Sequence, residues 1–258
     1  MSEDILFETK DQIAYVTLNR EKNLNAINID MFKKLSECWN TINTDDNIRV
    51  AIITGAGDKA FCAGMDLKEV SRIRKEGKDD LLKLVDDPFM EKMRTIDKPV
   101  ISAINGNVFA GGFLIALNSD IRISVQNTTF AITEAKVGRG SPWAIPLLWM
   151  LPLGTIMELT LTGDSIPVEK MEKMGFVNYI VPKAELMPTA VKIAENIRNN
   201  APLSVVAAKQ SLMQGMDLGV NDGIKKAKEI HKKVYSSLDA QEGPRAFAEK
   251  RKPIWRNK

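Results

Sequence analysis

The chain has 258 residues, 44% hydrophobic and 27% charged, enough for a sizeable core in one large domain or one domain with an appendage. With 36 basic and 33 acidic residues the net charge is only +3, so nothing in the total asks for nucleic acid or an anionic membrane as partner. Acids near the start, no apolar stretch of membrane-spanning length and only two cysteines, Cys38 and Cys62, argue against a secretory leader, a membrane span and a disulfide framework. The expectation is a cytoplasmic protein. Its single histidine, His231, lies on a polar helical face, which excludes a histidine-rich zinc site and leaves acid–base chemistry to carboxylates, lysine or tyrosine.

In chain order, residues 5–18 read as a hairpin: 13–18 alternate in the β manner and Asp11-Gln12 supplies the turn. A polar loop leads to an amphipathic helix over 29–42, with Met31, Leu35, Cys38, Trp39 and Ile42 on one side. Residues 49–55 form a buried strand, and 59–69 a glycine loop that opens a helix. The run 71–86 is so charged that a solvated or mobile segment is expected. A helix resumes over 89–96 and stops at Asp97-Lys98-Pro99.

The organising stretch is 98–120. Val100–Ile104 is an apolar run, Asn105-Gly106 a turn, and Ala110-Gly111-Gly112 leads into the apolar helix material of 113–117. Strand, glycine turn and helix start together aim free N–H groups and a helix dipole at whatever lies above the turn. That arrangement stabilises an anion or a developing oxyanion, although the same glycines equally serve tight packing or positive φ.

Strands follow at 121–125 and 128–132, then Glu134. Residues 144–150 and 155–162 read as buried helices, 168–174 as a short helix capped by Gly175, and 177–181 as the last strand. Beyond 185 the pattern is helical throughout: 186–199, 202–214, 219–238 and 244–252. The change at Pro182 divides the chain into an α/β core, 1–182, carrying the site, and a helical region, 183–258.

Several segments now fall into one register. They are Leu18-Asn19-Arg20 with Asn25-Ala26, the run 60–67, Asn105-Gly106 with Gly111-Gly112, Ser119-Asp120, Phe130 with Glu134 and Gly138, and Leu161-Thr162-Gly163. By their order and spacing the chain resembles the enoyl-CoA hydratase/isomerase (crotonase) family over nearly its whole length. The resemblance implies a spiral of repeated ββα units with a helical C-terminal trimerisation region, as a homotrimer or a dimer of trimers. It also implies an acyl-CoA substrate and no cofactor beyond the coenzyme A of that substrate. The thioester enolate would be held by the backbone N–H groups of Met65 and Gly111. The CoA contacts would come from Lys22, Leu24 and Ala26, from Ala63, Asp66, Leu67 and Lys68, and from Phe247 and Lys250 near the C-terminus, with Lys22 and Lys68 as phosphate partners.

Two departures shape the expected chemistry. The family's hydratases use two glutamates; one is present as Glu134, but the other position is Leu114, which cannot exchange a proton. A glycine-rich stretch has become Ser141-Pro142-Trp143-Ala144-Ile145, so Leu114 and Trp143 line a more apolar acyl pocket that raises the pKa of Glu134. A lone carboxylate beside an oxyanion hole suits proton transfer along the acyl chain, with double-bond isomerisation slightly ahead of hydration, including hydration of a cyclic dienoyl thioester. Thioester hydrolysis stays open. Non-enzymatic RNA binding stands last, because the charges of 72–83 alternate in sign and aromatics are only 6%.

Overall fold

Residues 5–18 form the expected hairpin, β1 (Ile5–Lys10) and β2 (Ile13–Leu18), with Asp11 and Gln12 both at positive φ, the geometry that matches the strand twist. The computed structural model describes residues 3–78 and 80–258. After α1 (Ile29–Thr44), two long–short strand pairs follow, each ending in a helix. The first is β3 (Val50–Gly55), β4 (Ala60–Cys62) and α2 (Leu67–Lys75). A one-turn helix, α3 (Glu91–Arg94), precedes the second, β5 (Val100–Ile104), β6 (Asn107–Phe109) and α4 (Gly111–Asn118). A third pair, β7 (Ile121–Val125) and β8 (Thr129–Ala131), ends in a 3-10 turn, Glu134–Val137.

The remaining short elements are α5 (Leu153–Met157), β9 (Ile166–Pro167), α6 (Val168–Lys173) and β10 (Tyr179–Val181). The long strands build one sheet in the order β1-β2-β3-β5-β7-β10, parallel except for the hairpin; the short ones build a second, β4-β6-β8-β9. Alternation along the long strands fills two cores. Ala14, Val16, Ala51 and Ile53 face α1 and the second sheet, while Ile13, Val50, Ile52, Ile101 and Ile123 face α7 (Leu186–Arg198). Three further helices, α8 (Pro202–Gly215), α9 (Val220–Tyr235) and α10 (Asp239–Ala248), complete the chain.

Arg122 of β7 is buried under the end of α4, donating to the carbonyls of Ala116, Ser119 and Phe176 and lying 4.8 Å over the Phe176 ring. Burial pulls its pKa down to about 10. A cation at a helix C-terminus meets the negative end of the dipole, so this residue fixes α4 against the sheet.

Three sequence expectations need correction. The described residues of 71–86 are not simply solvated: Ile73, Leu81 and Val85 are buried beneath a surface of ion pairs such as Arg72–Glu76. The helix expected over 89–96 shrinks to Glu91–Arg94. The two helices expected to be buried between 144 and 162 are half-exposed. Pro146 lacks an N–H, so Pro142–Trp149 coils as 3-10 rather than α, and Ile145, Leu148, Trp149, Leu153 and Leu161 reach the surface.

Candidate active site at the ends of three short strands

β4, β6 and β8 run parallel, side by side, and release the chain at the same edge of the second sheet. Within three residues of each strand end stand Met65, Gly111 and Glu134. Parallel sheets characteristically offer their sites at this carboxyl edge.

The β4–α2 turn is shaped by Gly64, at φ +92. Ile27 N–H donates to Gly64 C=O (2.7 Å) and Asp66 N–H donates to Ile27 C=O (2.9 Å), making Ile27 and Met65 a parallel bridge. The bridge uses the amides flanking Met65, so the Met65 N–H faces away from it. Asp66 then caps α2, accepting from the N–H groups of Lys68 (3.0 Å) and Glu69 (3.2 Å), with Arg20 on its other oxygen at 3.0 Å. Burial pushes the Asp66 pKa up, but these donors outweigh it and hold the carboxyl below its ordinary value.

The β6–α4 turn passes through Ala110, whose φ of 49 and ψ of −114 are strained for a residue with a Cβ, at a cost of about 1–3 kcal/mol. That conformation sets Gly111 as the first residue of α4, where a helix leaves its N–H groups unsatisfied. Among the described residues, neither Met65 nor Gly111 donates its N–H to a protein group. The two turns touch: a Cβ on Gly64 would lie 2.7 Å from Ala110 Cβ and 3.1 Å from Gly111 N. Gly111 itself has room, since its Cβ would meet Gly64 Cα at an ordinary 3.4 Å; the tight packing belongs to Gly112.

Both turns open on a cavity of about 100 Å³. Of the residues expected at the site, Ala63, Met65, Leu67, Gly111, Leu114, Glu134 and Trp143 line it. Leu114 is buried in its apolar wall with Ile27, Phe32 and Met90, and the half-buried Phe89 lines the same wall. One carboxylate oxygen of Glu134, Oε2, is buried without a hydrogen-bond partner. Burial raises the Glu134 pKa, the expected direction, but Trp143, expected to add to that rise, instead opposes it by donating its indole N–H, as does the Glu134 backbone N–H.

The other expected residues do not line the cavity. Ala63 N–H donates to Leu24 C=O at 3.0 Å, and Arg20 donates to Ala26 C=O at 2.6 Å, so the loop bearing Lys22, Leu24 and Ala26 is laced to the loop bearing Ala63 and Asp66. Lys22 and Lys68 are exposed on these loops. Phe247, 87% exposed, and Lys250 lie at the end of α10 and do not line this cavity.

Four supporting residues have no role assigned by the sequence, although Arg20 and Asn25 belong to its motif segments. Arg20 bridges Asp4, Ala26 and Asp66, and Asn25 donates to the carbonyls of Ala56 and Ala60. A local signal existed for the first network: Asp66 followed by Glu69 is a capping-box pattern, and Glu69 accepts from Ile29 N–H across the loops. Arg139 and its partner Asp80 had no such signal, being 59 positions apart.

Repeated strand–strand–helix turns, with their strand ends gathered on one cavity, define the crotonase-like class of α/β spiral. The chain belongs to the enoyl-CoA hydratase/isomerase family: the family model described as Enoyl-CoA hydratase/isomerase matches residues 8–258. It is 36% identical over 264 residues to (E)-benzylidenesuccinyl-CoA hydratase of Thauera aromatica, covering 98% of each chain. It is 35% identical to the carnitinyl-CoA dehydratase of Salmonella agona, covering all of both. Among solved structures, an enoyl-CoA hydratase from Mycobacterium tuberculosis superposes with a TM-score of 0.90 at 33% identity, over 99% of each chain. One from Bacillus anthracis gives 0.91 at 30% identity, over 99% of this chain and 100% of that one. The protein is therefore an enzyme of this family, and among its described residues no helix is long and apolar enough to cross a membrane.

Proposed function

We propose that the enzyme adds water to, or removes it from, an acyl-CoA thioester through an enolate, with Glu134 as its single acid–base group. The thioester oxygen accepts from the Met65 and Gly111 N–H groups, each worth a few kcal/mol to a developing oxyanion. Glu134 takes a proton from water as the oxygen bonds to Cβ, then delivers that proton to Cα of the enolate. Leu114 confines the exchange to one carboxylate. The observation that carries this reading is the unpartnered, buried oxygen of Glu134 on the same cavity as two free backbone donors. The names of the two relatives above favour hydration. The lone carboxylate itself favours the second reading, double-bond isomerisation, in which Glu134 moves a proton between Cγ and Cα.

Incubation with straight-chain 2-enoyl-, 3-enoyl- and cyclic dienoyl-CoA, with products resolved by mass, decides between them. Hydration adds the mass of water, isomerisation adds nothing, and hydrolysis releases free CoA. No change in any thioester overturns the reading.

We also propose that helices of 183–258 assemble a trimer or a dimer of trimers. Support comes from large apolar side chains left outside, among them Leu212 (75% exposed) and Val220 (78%). Sedimentation at micromolar concentration is expected to show no stable monomer; a well-behaved monomer contradicts the assembly.

A further inference from the structure

Besides Glu134, the one charged side chain on the cavity wall, among the described residues, is Arg139. Its side chain is only 14% exposed, and its guanidinium forms a two-point pair with Asp80: Nη1 to Oδ2 at 2.5 Å and Nη2 to Oδ1 at 2.7 Å. Nη2 also lies 4.0 Å from Met65 Sδ. The guanidinium therefore stands one methionine side chain away from the amide proposed to hold the enolate oxygen.

Asp80 is not reserved for Arg139. Its Oδ2 also accepts from Arg74 Nη2 at 3.0 Å, and its Oδ1 from Leu82 N–H at 3.1 Å. Donation from Arg139, against a smaller opposing push from burial, holds the Asp80 carboxyl well below its usual range, so it is ionised throughout the working pH range. Among the described residues Asp80 is shared between two guanidinium groups, so it is not a dedicated partner of Arg139, and apart from Glu134 the wall around Arg139 carries no other charged side chain. Arg139 carries five N–H donors and Asp80 engages two of its nitrogens, which leaves donors for a further acceptor. A planar fork of this kind matches a carboxylate better than any neutral group does.

We propose that Arg139 reads a second carboxylate, carried on the acyl group, so that the preferred substrates are CoA monothioesters of unsaturated dicarboxylic acids. The inference rests on the acyl-CoA reading above. A carboxylate arriving from the thioester side completes a row of alternating charge, Arg74, Asp80, Arg139 and the substrate, and takes up the donors that Asp80 leaves free. A plain hydrocarbon chain offers those donors no acceptor and shields them from water, which is costly.

The test is calorimetric titration of the full-length protein with saturated CoA thioesters, which bind without turnover. Succinyl-, glutaryl- and adipyl-CoA are compared with butyryl-, valeryl- and hexanoyl-CoA, matched in carbon number. At least one dicarboxylic thioester is expected to bind about tenfold or more tightly than its match. That preference should shrink as salt is raised. Arg139→Gln should bring the ratio near one, and Arg139→Lys should keep part of it. Equal affinity within all three pairs, or an undiminished preference in Arg139→Gln, overturns the inference and leaves the acyl-CoA reading intact. Failure of both series to bind overturns the acyl-CoA reading instead. If Arg139→Gln does not fold, the wild-type ratio and its salt dependence decide alone.

Discussion

Glu134→Gln is expected to lose turnover by at least ~10²-fold while binding saturated acyl-CoA as tightly as before and melting at a higher temperature near neutral pH. The gain in stability follows from the sign of its pKa shift. Burial raises the folded-state value above the ordinary 4.5, so ionisation of Glu134 opposes folding. That cost is absent below 4.5, grows as pH rises toward the folded value, and is constant above it. Glutamine removes it, so the difference in melting temperature between variant and wild type should be small in acid and widen through this window. Activity in wild type should likewise fall on the acid side at a pH above 4.5, because the reaction begins from the carboxylate. Thermal melts and initial rates at several pH values check both statements. A variant that melts lower than wild type at neutral pH contradicts the buried, unpartnered state of Oε2, and undiminished turnover removes Glu134 from the mechanism.

Gly112→Ala is expected to destabilise the fold by about 3 kcal/mol, at the upper end of the usual cost of overpacking. Its Cβ would meet the Cys62 carbonyl oxygen at 2.3 Å and Cys62 Cβ at 2.8 Å. The obstacle is strand backbone in β4, so no rotamer change relieves it, and α4 must withdraw from the second sheet. Gly111→Ala is the matched control. Its new methyl group meets only ordinary contacts and favours the helix, so this variant should melt at or slightly above wild type. Equal melting temperatures for the two variants would show that α4 does not pack tightly against β4.

Local periodicity made much of this frame legible. The β1–β2 hairpin, α1 and the β5-to-α4 stretch follow from alternation, from a 3.6-residue apolar stripe and from glycine at a helix start. Met65 and Gly111 draw notice in the sequence because each sits in a glycine turn at a helix start, and Glu134 because it follows the strand read at 128–132; β4 and β6, three residues each, are too short for alternation to mark and read as loop and turn. Pro142–Trp149 was misread because an apolar run says nothing of which side faces solvent, and because two prolines turn α-helix into 3-10. Asp80 was hidden among alternating charges, where no pattern singles out the carboxylate that turns inward. Its pairing with Arg139 depends on closure of the chain between them. Arg20 looked like part of a strand-end motif, while its three partners come from separate loops.

The contact between Gly64 and the Ala110–Gly111 turn has a mechanical consequence. Two hydrogen-bond donors carried on independent loops would fluctuate independently, and their separation would wander with each. Here one backbone rests against the other at van der Waals distance, and β4 and β6 are hydrogen-bonded neighbours beneath them. Thermal breathing of the sheet then becomes common-mode: both amides travel together, and the gap between them is the quantity least disturbed. A bulky residue at position 64 would do more than block space. It would uncouple the two amides, so its signature should be a broadened distribution of donor geometry, seen as loss of affinity for an enolate mimic beyond any loss for the ground-state thioester.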